Sequence, residues 1–367
     1  MTRRHFIYQS LITLKSMSIL SLLPPISSAV VSPDSGKESL HYKPLNGRNL
    51  RHVAKEKKHH GFKGFVNPLG LERQGRFWEV ARWKLFSENR FKKYYDGEQI
   101  IPVSIDWEPV RQHRGFSITF LKHSSVMIKD MDQYILVDPV FSELFWFIKD
   151  FSPLKFDLQS MPKPQHVLIT HGHYDHLDEK SLASLNKHTH IITPLGYNQI
   201  FSDLSMKNQT QLDWYDSHYD GRRKITLLPC NHWTMRNPLL GPNQSLWGSY
   251  LIQTASGYTI YISGDTAYFD GFEQLGQEYK IDLAVFNLGA YEPRWFMAQS
   301  HINPHETVKA FKELNAQKLL IVHWGTFRLG DEPVHFPPIQ IKEELEKEGL
   351  LDRWVNLRHG QTLFLDS

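Results

Sequence analysis

Six consecutive residues constrain this chain more than any other feature: His171-Gly172-His173-Tyr174-Asp175-His176. They set three imidazoles and one carboxylate directly behind an apolar run at residues 166–170 that reads as a buried strand. A strand end gives converging side chains a rigid support. Gly172 lets the backbone turn so that His171 and His173 face one point, and Asp175 and His176 another. Imidazole nitrogen and carboxylate oxygen are the donors expected of zinc, with iron or manganese as alternatives.

The rest of the composition is that of a globular chain. Of 367 residues, 41% are hydrophobic and 22% charged, and 20 are histidine. The single cysteine, Cys230, excludes an intrachain disulfide. Net charge is +3, and the balance argues against a nucleic-acid partner. Arg3, Arg4 and Lys15 account for that excess; without them basic and acidic residues are equal in number. Thr2-Arg3-Arg4-His5-Phe6-Ile7 is similar to a bacterial twin-arginine export motif. An apolar, serine-rich stretch follows, with Ser27-x-Ala29 at a cleavage-like spacing. Residues 1–29 are therefore expected to be an export signal, and the protein periplasmic or secreted, with a cytoplasmic location as the alternative.

Residues 30–109 read as a linker and N-terminal extension, and 110–367 as the main domain. The run Lys-Glu-Lys-Lys-His-His at 55–60 reads as a solvated charged segment. Aromatic and basic residues interleave over 77–95, the pattern of an amphipathic helix that packs on its own domain or meets a membrane surface. Short β-like runs begin at Gly115: 117–121, 125–129 and 133–137, then 190–193, 225–229, 249–254, 258–263, 282–287 and 318–322. Asp178 is placed to cap a helix over 178–185. Asn303-Pro304 with Glu306 gives a capping box for a helix over 303–315, and 339–348 reads as a second late helix. Strand-rich halves, each followed by helices, suggest two sheets packed face to face with helices outside.

The first motif resembles the His-x-His-x-Asp-His signature of the metallo-β-lactamase superfamily. The resemblance extends along residues 110–367. His232 follows Leu227-Leu228-Pro229, Asp265 sits in Ser263-Gly264-Asp265-Thr266, and His323 precedes Trp324-Gly325, each at a strand end and in the superfamily's order. Further phrases narrow the branch: Asp138-Pro139-Val140-Phe141-Ser142, Asn231-His232-Trp233, residues 289–297 and His323-Trp324-Gly325-Thr326-Phe327. These are similar to N-acyl-phosphatidylethanolamine-hydrolysing phospholipases D and their bacterial relatives.

The resemblance implies an α/β fold, the αββα sandwich, and two divalent metal ions, zinc first. His171, His173 and His232 would hold one ion and Asp175, His176 and His323 the other, with Asp265 bridging. Asp175, Asp265 and His301 are the implied catalytic residues, His301 orienting the substrate phosphate or assisting the leaving group. The implied reaction is phospholipase D cleavage of a phospholipid at a membrane surface, and the implied assembly is a homodimer. The same donors also suit a lactonase or amidase, or a phosphodiesterase for a small substrate. A non-catalytic binding protein would be expected to have lost some of these ligands.

Several residues carry two readings. Asp138 either orients a ligand histidine or caps a turn. Where relatives have a Gly-His pair this chain has Lys122-His123, so no role is carried over to His123. Cys230 reads as a small buried filler. Arg294 and Trp295 read as substrate wall or as a salt bridge and core. His59, His60, His188 and His190 read as surface residues. The run Leu144-Phe145-Trp146-Phe147 is a second candidate for a lipid-facing wall.

Overall fold

The computed structural model describes residues 41–71 and 76–365. The export motif at 1–29, and the linker as far as residue 40, lie outside the described residues.

The first sheet has seven strands in the order β15-β3-β4-β5-β6-β7-β8. These are β3 (Phe116–Lys122), β4 (Ser125–Asp130), β5 (Gln133–Val137), β6 (His166–Leu168), β7 (His190–Pro194), β8 (Gln209–Leu212) and β15 (Thr362–Leu365). Its β15-to-β5 half is antiparallel and its β5-to-β8 half parallel. The second sheet has six strands in the order β14-β13-β12-β11-β10-β9: β9 (Ser217–Tyr219), β10 (Lys224–Leu228), β11 (Ser249–Gln253), β12 (Thr259–Ile262), β13 (Leu283–Asn287) and β14 (Lys318–Val322). It repeats the design, antiparallel from β9 to β12 and parallel from β12 to β14.

Side chains of a strand alternate between faces, and the two faces of the first sheet enter different cores. Ile118, Phe120, Val126, Ile128, Ile135, Val137, Leu168 and Ile192 pack inward against Ile225, Leu227, Ile252, Ile260 and Val285 of the second sheet. Met127, Leu136, Val167, Ile169 and Ile191 point outward, under Leu177, Leu182 and Phe201. Burial on both faces explains why these strands read as continuous apolar runs. The helix Pro304–Glu313 covers the second sheet, burying Val308 and Phe311. Its capping box forms as its sequence requires: Asn303 Oδ1 accepts from the Glu306 amide, and Glu306 Oε2 from the Asn303 amide. The result is the expected αββα sandwich.

Two expectations about the N-terminal extension are corrected. From His41 onward the segment read as a linker is part of the folded unit. Leu45, Leu50, Val53 and Ala54 are buried in the main core. The helix Leu50–Lys55 and a hairpin of β1 (His60–Gly61) and β2 (Gly64–Phe65) follow. Within the charged run, Lys55 to Lys58 are exposed, but His59 is fully buried, stacked on Trp214 at 4.1 Å between ring centroids. Apolar residues spaced through a polar stretch carried this packing, and the charge run masked it. His188 is at the surface and His60 is exposed, while His190 is half-buried.

The helix Arg76–Phe86 packs on its own domain through Trp83, whose indole nitrogen donates to Asp331 at 2.9 Å. Leu85 and Phe86 remain exposed. Among the described residues no helix is long and apolar enough to cross a membrane.

Candidate metal centre

All seven expected metal donors, and Asp138, lie just beyond strands. Asp138 follows β5, the His171–His176 motif follows β6, and His232 follows β10. Asp265 follows β12, and His323 follows β14. The parallel halves of both sheets thus direct their C-terminal ends to one place, the usual position of ligands in open α/β sheets. All seven expected donors meet there, in two groups. His171, His173, His232 and Asp265 offer nitrogen and oxygen atoms within 4.8 Å of one another, and so do Asp175, His176 and His323 together with His123.

Asp265 stands between the groups. Its Oδ2 is 3.3 Å from His176 Nε2 and 3.8 Å from both His171 Nε2 and His232 Nε2. Its Oδ1 is 3.3 Å from His323 Nε2 and accepts from Asn287 Nδ2 at 2.9 Å. Burial opposes its charge, but the imidazoles of His176 and His323 hold it well below the usual carboxylate range. Asp175 is also held low against burial, by the imidazoles of His176, His123 and His323 around it.

The outer nitrogens of two of the histidines are fixed by other groups. His176 Nδ1 donates to Asp138 Oδ2 at 2.8 Å, and His232 Nδ1 to the Ser300 carbonyl at 3.0 Å. Asp138 also accepts from the Thr170 amide at 2.8 Å and the Thr170 hydroxyl at 2.6 Å. It therefore orients His176 and ties off its own turn at once, satisfying both readings. With Nδ1 committed, Nε2 is the nitrogen of His176 that faces the two carboxylates, 3.6 Å from Asp175 Oδ2 and 3.3 Å from Asp265 Oδ2. Nε2 of His176 and of His323 is buried with no hydrogen-bond partner. Buried polar atoms are rarely left so, and carboxylate- or carbonyl-backed imidazoles around a shared carboxylate are what a pair of divalent ions requires. The residues fit two such ions.

Backbone strain concentrates here. His123, Asp138 and His323 have φ of 49°, 40° and 70°, a region that costs non-glycine residues of order 1–3 kcal/mol each. Two glycines make room. A Cβ on Gly289 would lie 2.2 Å from the His323 carbonyl oxygen, and one on Gly264 2.8 Å from Thr170 Cβ.

His123 was the residue left without a role, and the structure gives it one. It is fully buried, its Nε2 is 3.1 Å from Asp175 Oδ2, and its carbonyl accepts from the His323 amide at 2.7 Å. The sequence signal was a histidine in the short link between β3 and β4, at a strand end like the other donors. The expected preceding glycine is not needed. Its replacement, Lys122, is buried against Asp150 at 2.5 Å.

His301 lies at the edge of the centre, with Nδ1 3.8 Å from Asp265 Oδ2. Burial lowers it to about 3, so it is neutral at physiological pH. Arg294 is not a wall. It pairs with Glu306 at 2.8 Å and donates to the His301 carbonyl at 2.9 Å, so it positions His301. Trp295 is exposed, not core. Cys230 is a buried filler whose thiol is pushed up by burial.

A cavity of about 630 Å³ opens beside His232 and Trp233. Lys43, Arg48 and Lys58 line it together with Phe65, Val66 and Leu71. The corrected N-terminal segment thus supplies much of the wall next to the centre.

The comparisons with known proteins agree with this geometry. The family model for the beta-lactamase superfamily domain matches residues 133–324. The chain is 30% identical over 273 residues to N-acyl-phosphatidylethanolamine-hydrolyzing phospholipase D 1 of Caenorhabditis elegans, covering 68% of this chain and 75% of the relative. It is 32% identical over 248 residues to the mitochondrial N-acyl-phosphatidylethanolamine-hydrolyzing phospholipase D of Saccharomyces cerevisiae, covering 63% of this chain and 52% of that one. The chain thus spans only about half the length of the yeast relative. Among solved structures, the isothiocyanate hydrolase from Delia radicum gut bacteria shares the fold with a TM-score of 0.56 at 18% identity, covering 68% of this chain and 100% of that one. Fold, site and sequence agree, and the chain belongs to the metallo-β-lactamase superfamily.

Proposed function

We propose that this chain hydrolyses a phospholipid phosphodiester with phospholipase D regiochemistry, releasing N-acylethanolamine and phosphatidate from N-acyl-phosphatidylethanolamine. The observation that carries the reading is the pairing of the donor cluster around Asp265 with a cavity both cationic and apolar. Lys43, Arg48 and Lys58 suit an anionic head group, and Phe65, Val66, Leu71 and Trp233 suit the start of an acyl chain. The likeness to two N-acyl-phosphatidylethanolamine-hydrolyzing phospholipases D supports the substrate class. So does an exposed aromatic loop, in which Trp146 is 94% and Phe147 65% exposed. Contiguous exposed apolar groups of this kind mark contact surfaces.

His171, His173 and His232 would hold one ion, Asp175, His176 and His323 the other, with Asp265 between them. Two divalent ions there, zinc by the donor set, would supply an activated water and charge stabilisation for the phosphoryl oxygens. The protein's own groups do the rest. Asp138 and the Ser300 carbonyl fix the tautomers of His176 and His232, so their Nε2 lone pairs face the centre. Asn287 keeps Asp265 aimed between the two groups. His301, neutral and held by Arg294, donates one N–H to a phosphoryl oxygen and orients the ester, a positioning role rather than that of a charged acid.

The test is product analysis with the full chain. Phosphatidate and N-acylethanolamine released from N-acyl-phosphatidylethanolamine vesicles support the reading. No release there, with turnover of lactones or small phosphodiesters, would replace it by another hydrolysis at the same centre.

A further inference from the structure

A second histidine cluster lies at the other end of the first sheet. His166 opens β6 and His190 opens β7, and the two are register partners on adjacent parallel strands. His218 comes from β9, the edge strand of the second sheet. One ring nitrogen from each lies within 4.8 Å of the others. The centre at Asp265 is separate, because His171 follows the opposite end of β6, about 16 Å of extended chain away.

Three features distinguish this cluster from histidines that merely neighbour one another. The first is spacing. His166 Nδ1 and His190 Nδ1 are 3.2 Å apart, and two nitrogens at about 2.0–2.1 Å from one tetrahedral zinc are about 3.3 Å apart. The second is backing. His166 Nε2 faces Asp220 Oδ2 at 3.4 Å, and His190 Nε2 lies 2.9 Å from the Thr210 hydroxyl. Asp220 is held in turn by the Arg222 and Arg223 amides at 3.0 and 2.7 Å, with Arg223 Nη1 3.4 Å from its Oδ2. Imidazoles whose outer nitrogens are held by a carboxylate and a hydroxyl present the inner lone pair to a metal. The third is the third ring. A hydrogen bond between His166 and His190 would need only two imidazoles, yet His218 packs on both, with ring centroids 5.7 and 4.6 Å away.

We propose that His166, His190 and His218 form a further metal site, three-coordinate from the protein, for a borderline divalent ion such as Zn²⁺. His166 is buried and the other two are half-buried, so the fourth position is open to water. The site joins the edge strand of one sheet to the parallel strands of the other. Burial also lowers His166, and burial with the two neighbouring rings takes His190 down to about 4, so lone pairs are available at neutral pH.

The experiment uses the full chain, stripped with chelator, reloaded with Zn²⁺ and freed of excess by gel filtration. Elemental analysis should give one equivalent more in the unaltered chain than in His218→Gln or His190→Gln, with ester turnover unchanged. Equal zinc in all three would overturn the proposal. Diffraction at the zinc absorption edge, on the unaltered chain, decides the matter if either variant fails to fold. An anomalous peak bonded to the three imidazoles is expected. No peak there, with peaks at Asp265, would leave a His190-to-His166 hydrogen bond and no metal site.

Discussion

Asp138 accepts from the Thr170 amide, the Thr170 hydroxyl and His176 Nδ1, all at 2.6–2.8 Å. Every partner is a donor, so an amide in its place would set one N–H against another. Asp138→Asn should therefore lower metal affinity about 10- to 100-fold while the fold persists, read by competition with a chromophoric chelator. Unchanged affinity would leave Asp138 only its turn. His301→Ala should slow turnover by about 100-fold with metal content retained, and unaltered kinetics would remove its role at the ester. The donors were legible in the sequence because a dense motif and three strand-end residues carry them. His123 was not, because one lone histidine has no local pattern and its partner Asp175 is distant in the chain. His59 was misread for the opposite reason: its neighbours are charged, while its ring stacks on Trp214.

At the scale of elements, residues 41–71 are fastened to the domain through Asp213. Its carboxylate meets Lys57 Nζ and His59 Nε2 at 2.5 Å and His60 Nε2 at 2.8 Å. Burial opposes the charge, but His59 and Lys57 hold the Asp213 carboxyl well below its ordinary value. A carboxyl depressed in the folded state stabilises it above the unfolded value. That contribution is lost as pH falls through and below that value, about 4 for aspartate. Acidification from pH 6 to 3 should loosen this segment, seen as lower amide protection factors in the helix Leu50–Lys55 once the intrinsic pH dependence of exchange is divided out. Asp213→Asn should give the same loosening at neutral pH, worth about 2 kcal/mol, and protection equal to that of the original chain in that variant would contradict the fastening. The segment lines the cavity, so substrate affinity should fall with it. Most strands were legible as apolar runs. β8 and β9 were not, because Gln-Thr-Gln-Leu and Ser-His-Tyr are polar edge strands with little apolar signal.

For the whole molecule, two sheets of the same design face each other across one core. Each turns from antiparallel to parallel pairing, so the strand ends of the parallel halves converge on Asp265. Sequence could place each ligand at a strand end, but not the cavity beside them. That wall comes from residues far earlier in the chain, and pairing over such distances leaves no local trace. The central claim is that Asp265 joins two groups of donors into one metal-dependent centre. Asp265→Asn tests it most directly, with metal content and ester turnover measured side by side on the original and altered chains. The account predicts that the variant loses bound metal and nearly all turnover while keeping the native circular dichroism spectrum. Equal metal content with full turnover would contradict it.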